Sequence, residues 1–153
     1  MSLTWIIQGI LSFIIAISFA IIFNAPRKKL VACGVAGMFG WLIFSGFSMV
    51  SGDTVQASFA GAFVVALAAH ILSKRFKMPM IIFSVPGIIL IVPGGLAYNA
   101  MRNIVENDYL TAISFASKAF MTSGAIAMGL VFAEVLMQLI FRYMARKKAV
   151  ITN

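Results

Sequence analysis

The sequence predicts an all-α integral membrane protein with about five transmembrane helices, the fourth of them broken by two Pro-Gly pairs. Three observations carry this. Of the 153 residues 62% are hydrophobic and only 10% charged, whereas a soluble domain needs about 25% charged residues to cover its surface. The apolar residues gather in five runs, most of them near the ~20 residues that a helix needs to cross hydrocarbon. The Lys and Arg residues sit in short clusters between those runs rather than along any face. Backbone groups in lipid must be satisfied within the chain, so helices are expected for all five runs, and residues 1–153 read as a single transmembrane domain.

The first run, about 3–23, carries Trp5 near its start, where interfacial aromatics sit. No basic residue precedes it, whereas a secretory signal opens with a positive region, so it is expected to be retained as a span. The second run, about 30–50, holds Gly34, Gly37 and Gly40 at a spacing of three. Small residues so placed make a groove that another helix approaches closely, since packing drives association in lipid; the same groove also suits a pathway lining. Cys33 is the only cysteine, which excludes an internal disulfide or a cysteine zinc cluster. Inside an apolar run it packs as a small hydrophobe. The third run, about 55–72, is slightly short, and His70 lies near its basic end.

The fourth run, about 78–97, is the most informative. It contains Pro86-Gly87 and, seven residues on, Pro93-Gly94-Gly95. Proline removes a backbone donor and clashes with the preceding turn, and glycine tolerates irregular backbone angles. Two such pairs are expected to interrupt the span twice. Freed backbone groups in a membrane are tolerated only against protein or water, and transporters build solute sites from such broken helices. Ser84, Pro86, Gly87, Pro93, Gly94, Gly95, Tyr98 and Asn99 are therefore the candidate substrate-binding residues. A merely kinked helix, with Tyr98 as an interfacial belt residue, is the plainer alternative.

Residues 101–118 differ. Met101, Ile104, Val105, Tyr109, Ala112, Ile113, Ala116 and Phe120 recur at helical spacing, with polar residues on the other faces. This predicts an amphipathic outer helix or helix pair, capped by Asn107 or Asp108 before Tyr109. The fifth span, about 119–141, contains Glu134. Eight residues before Arg142, it lies about 12 Å deeper along a helix. A carboxylate there is costly and is expected to face the protein interior or water. It is the candidate coupling residue; a structural carboxyl bonded to Gln138 is the alternative.

Charge fixes the expected orientation. Arg27, Lys28, Lys29, Lys74, Arg75, Lys77, Arg142, Arg146, Lys147 and Lys148 fall on one side of five spans; only Arg102 and Lys118 fall on the other. Such asymmetry places the basic side in the cytoplasm, with the N-terminus outside. The net charge of +8 thus reflects loops beside a bilayer, not a nucleic-acid surface. One His, one Cys and no paired acidic motif within the spans give no basis for an enzyme, a metal site or a cofactor.

Three segments resemble the threonine/serine exporter family: Asn24-Ala25-Pro26-Arg27-Lys28-Lys29, Gly37-Met38-Phe39-Gly40-Trp41, and the string from Val85-Pro86-Gly87 through Val92-Pro93-Gly94-Gly95-Leu96-Ala97-Tyr98-Asn99-Ala100-Met101. The likeness covers most of 24–101 and continues more weakly through the last span. It is nearest to the short, split form, in which a small subunit works with a larger membrane protein of the family, as in the bacterial two-component succinate exporter. The resemblance implies an inner-membrane secondary exporter of threonine, serine or a C4 dicarboxylate, coupled to protons. It implies no particular site residue. Composition alone also allows a homo-oligomeric pore or scaffold without ion coupling. Five short spans offer few interior surfaces, so the chain is expected to need a partner, either the large subunit or further copies of itself.

Overall fold

A computed structural model describes residues 2–151, which form α1 (Ser2–Ile22), a 3-10 turn (Arg27–Lys29), α2 (Leu30–Ser51), α3 (Thr54–Phe76), α4 (Ile81–Ile88), α5 (Gly94–Val105) and α6 (Tyr109–Ile151). α1, α2, α3 and the stretch Tyr109–Met144 of α6 are each long and apolar enough to cross a membrane. Large apolar side chains such as Ile6, Ile10 and Ile14 stand exposed along α1, as the flank of a membrane body requires; a soluble monomer rarely exposes so large an apolar patch.

One device ends three of the helices. Asn24, Lys77 and Asn107 adopt positive φ after α1, α3 and α5. The next residue's amide then returns to a carbonyl five residues back: Ala25 to Ala20, Met78 to Ser73, Asp108 to Asn103. This closes the helix ends by satisfying otherwise orphaned carbonyls. At the starts, the Asp53 carboxylate accepts from the Val55 amide and the Asp108 carboxylate from the Thr111 amide.

Packing rests on small residues. α1 lies antiparallel to α2, with Gly34 against Phe13 and Ile17, and Gly37 against Ala16. α3 lies antiparallel to α2, with Gly40 against Val65. α6 runs parallel to α3: Gly129 sits on the α3 backbone at Phe59 and Phe63, and the Phe132 ring meets Phe59 edge-on at 6.0 Å. Contacts of the fourth segment climb along α2, from Cys33 with Ile82 to Gly37 with Gly87 and then Trp41 beside Leu90. It therefore passes from one end of the body to the other, although no unbroken helix does so.

The basic clusters converge on one end. The Lys29 ammonium stands over the Phe76 ring, and that of Lys74 over the Phe141 ring, as cation–π contacts. Arg142 follows directly. The side chains of Arg146, Lys147 and Lys148 lie outside those described. From the level of Thr54 to that of Lys74, α3 rises about 30 Å, one hydrocarbon thickness. The amphipathic 101–118 segment is divided between α5 and the start of α6, which runs unbroken into the last span. Since Thr122 lies beside Thr54 and Ser58, residues 109–121 overhang the far end by about 20 Å, with α5 packed against them.

Candidate functional site

The two Pro-Gly pairs behave differently. Pro86 lies inside α4 and is buried. It has no N–H to return to the carbonyl of Ile82. Cys33 of α2 supplies the missing donor, its thiol giving a hydrogen bond to that carbonyl at 3.3 Å. Gly87 allows α4 to press on its neighbours: a Cβ there would lie 2.7 Å from Val65 Cγ1 and 3.5 Å from Gly37 Cα. The double interruption expected from the sequence is thus a single one. Ser84, Pro86 and Gly87 are buried in the helix packing and line no part of the cleft described next.

The chain leaves the helix after Ile88. The amides of Ile91 and Val92 both return to the Ile88 carbonyl, and that of Gly94 to Val92. Pro93 has no N–H, so the Ile89 carbonyl loses its helical partner. α5 then starts with Pro93 as its N-cap and no side-chain cap. The Ala97 amide returns to Pro93, leaving those of Gly95 and Leu96 without a helical acceptor. A Cβ added at Gly94 or Gly95 would meet nothing within 4 Å.

A cleft of about 340 Å³ lies against this break. Leu90 to Pro93, Gly95 and Leu96 form one wall, Trp41 and Phe44 of α2 another, and Thr54, Ser58 and Thr122 the third. The two aromatic rings lie 5.3 Å apart. Ser58 and Thr122 are almost wholly covered and form the floor. Each hydroxyl donates to its own helix, Ser58 to the Thr54 carbonyl and Thr122 to that of Lys118, both at 2.7 Å. Each hydroxyl oxygen therefore keeps acceptor capacity and no free proton. Among the described residues no ionisable side chain lines the cleft. Its polar character comes from backbone amides at the start of α5, where the helix dipole favours negative charge, and from hydroxyl acceptors opposite.

A second cavity, about 280 Å³, adjoins across Trp41 and Leu90, with Gln8 and Ser12 of α1 on its wall. Ser45 donates to Gln8 Oε1 at 3.1 Å, a polar contact between α1 and α2 within the apolar body.

Of the remaining candidates, Pro93 and Gly95 line the cleft and Gly94 adjoins it. Tyr98 is 66% exposed and sits beside Arg102 and Glu106 on the outer side of α5. The Asn99 carbonyl accepts from the Asn103 amide group at 2.7 Å, and Asn99 is not part of the cleft wall. His70 holds the Ala66 carbonyl through Nδ1. Glu134 is exposed on the flank of α6, where Gln138 Nε2 donates to it at 3.2 Å. It lies twelve residues, about 18 Å, beyond Thr122, so nothing brings it to the cleft. Gly34, Gly37 and Gly40 are occupied by this chain's own α1, α3 and α4; a contact between chains at these residues is not open. Trp41, Thr54, Ser58 and Thr122 were not signalled by the sequence, since only the packing of α2, α3 and α6 unites them. Gln8 had a signal, an amide within an apolar run.

Residues 8–136, which include the whole cleft, match the family described as Threonine/Serine exporter, ThrE. An uncharacterized protein of Haemophilus influenzae is 30% identical over 114 residues, covering 67% of this chain and 38% of that protein. A threonine/serine exporter of Corynebacterium glutamicum is 25% identical over 119 residues, 78% of this chain and 24% of that protein. The chain thus spans less than half the length of these relatives. No solved structure matches.

Proposed function

From the premise that this chain belongs to the threonine/serine exporter family, we propose that it is the small, cleft-bearing subunit of a secondary exporter that carries threonine and serine out of the cell. The observation that carries this reading is the broken fourth segment. It leaves two amides without a helical acceptor, those of Gly95 and Leu96, on the wall of a cleft whose opposite wall carries hydroxyl groups. An amino acid is a zwitterion. Its carboxylate suits the start of α5, as in transporters that point half-helix N-termini at anionic groups. Its ammonium suits the oxygens of Thr54, which is exposed, and Thr122. A C4 dicarboxylate would bring a second carboxylate to those acceptors, so the geometry favours the amino acid.

Its likeness to the short, split form of the family supports a partner, a second and larger membrane subunit. With no ionisable side chain on the cleft wall, the group that carries a coupling proton comes from outside it. The basic end faces the cytoplasm of a bacterial inner membrane, by the positive-inside bias of Arg27–Lys29 and Lys74–Lys77.

The test is efflux from cells expressing the chain with its native partner, preloaded separately with threonine, serine and succinate. Gly95→Leu is expected to fill the cleft and lower threonine efflux at least about tenfold, equivalent to ~1.4 kcal/mol, with unchanged membrane abundance. Efflux of succinate alone, or normal threonine efflux in this variant, would overturn the reading. An uncoupler is expected to abolish the threonine gradient; a passive pore would merely equilibrate it. Orientation is checked in a Cys33→Ser background with an impermeant maleimide: Ser51→Cys reacts in intact cells and Lys28→Cys only after permeabilisation. The reverse pattern would invert the topology.

A further inference from the structure

We infer that the flank of α6 bearing Glu134 and Gln138 is the docking face for a membrane-spanning helix of a different polypeptide, one that brings a basic or amide hydrogen-bond donor to the depth of Glu134. The inference needs only that this chain lies in a bilayer; it does not depend on the solute.

Glu134 lies within the hydrocarbon layer by two references in the structure. Thr122, twelve residues earlier, is level with the start of α3; Phe141, seven residues later, is level with Lys74 near its end. Yet Glu134 is exposed, with Gln138 as its only hydrogen-bond partner among the described residues. A carboxylate facing lipid costs several kcal/mol, and ionisable groups within spans almost always face protein or water. A single amide at 3.2 Å does not replace its hydration. The same flank is suited to close approach. Ser123, Ala127 and Val131 fall on the Glu134 side of the helix, and all are exposed. Small residues admit a neighbouring backbone, and polar side chains then hold it.

Charge complementarity selects the occupant. The side that meets this flank must supply a donor within the span. A second copy meeting it by the same face has no basic side chain to offer there. Its Lys and Arg residues lie in the basic clusters, or at Arg102 and Lys118 in the overhanging hairpin. Its His70 is turned to the Ala66 carbonyl of its own helix, and its Gln138 spends one of its two amide N–H groups on its own Glu134. Two copies joined by this face would set carboxylate beside carboxylate. A different chain, with its own Arg, Lys, His, Asn or Gln at this depth, resolves the unpaired charge.

The experiment is photo-crosslinking in native membranes, with a benzophenone amino acid at Val131 on this flank and, as control, at Ile71, an exposed position of α3. Crosslinked peptides are sequenced by mass spectrometry. The expected adduct at Val131 is a membrane-spanning segment of another protein with one of those donors within a helical turn of the crosslink. Its yield should fall about tenfold in Glu134→Leu, the change that ~1.4 kcal/mol of interface energy produces, and fall less in Glu134→Gln, which retains hydrogen bonding. Among the described residues Glu134 hydrogen-bonds to Gln138 alone and is exposed, so protease resistance of the isolated variants should match that of the parent. Adducts with lipid alone, adducts with this chain itself, a partner segment lacking a donor, or a yield indifferent to Glu134→Leu would each overturn the inference. Export is not the readout, so failure here leaves the solute reading standing, and the converse holds too.

Discussion

Pro86-Gly87 and Pro93-Gly94 are the same dipeptide in the same segment, yet one continues a helix and the other marks its break. At Pro86 the missing N–H is replaced by a thiol 49 residues before the Ile82 carbonyl it bonds, and Gly87 is gripped between Val65 and Gly37. At Pro93 no such donor reaches the Ile89 carbonyl through the helix, and the glycines that follow face open space. Proline and glycine permit a break; whether it happens depends on what the neighbouring helices supply. The first pair serves packing, and the second opens a cleft.

The comparison can be broken at several points. The largest expected effect is at the gripped glycine. Gly87→Leu should destabilise the protein by about 1–3 kcal/mol through overpacking, seen as lower membrane abundance and an earlier unfolding midpoint in detergent. Tolerance of leucine there would mean that α4 is not tightly held. A smaller effect is expected at the thiol. Cys33→Ala strands the Ile82 carbonyl and should cost about 0.5–1 kcal/mol, while Cys33→Ser keeps a donor. In a Pro86→Ala background the helix has its own N–H, so Cys33→Ala should cost only its lost volume. A cycle with no coupling between positions 33 and 86 would remove the thiol from the account. The smallest effect is at the open glycine: Gly94→Ala should stabilise by about 0.4–1 kcal/mol by restricting the unfolded chain, and destabilisation would show the space there to be filled.

These differences mark what was legible in the sequence. α1, α2 and α3 follow from apolar runs of span length, and the start of α6 from Asp108 before an amphipathic repeat. The fusion of that repeat with the last span was not read, although no Pro or Gly lies between Tyr109 and Ser123 to end the helix. A break near Pro93 was legible because proline acts on its own chain. The survival of α4 through Pro86 was not, because its cause is a distant thiol. Pro93 and Gly95 were found as cleft residues from local chemistry. Thr54, Ser58 and Thr122 were not, because ordinary hydroxyl residues gain meaning only where α3 and α6 run side by side. The depth of Glu134 could be counted from Arg142. Its direction could not, since the contact of Gly129 with α3 decides which way α6 turns its faces.

That same contact has a consequence for depth. The helical stretch Tyr109–Met144 has 36 residues, but Lys118 and Arg142 bound its apolar part at about 36 Å against ~30 Å of hydrocarbon. That excess leaves several Å over which the helix can slide along the membrane normal, at a cost of only fractions of a kcal/mol per Å. Within that margin the bilayer does not set the register of α6. Gly129 against Phe59 and Phe63 sets it, with Lys74 over Phe141 below. Thr122, on the floor of the cleft, keeps its height through knobs of side chain and backbone, and would rise or sink with the whole rod if that notch were lost.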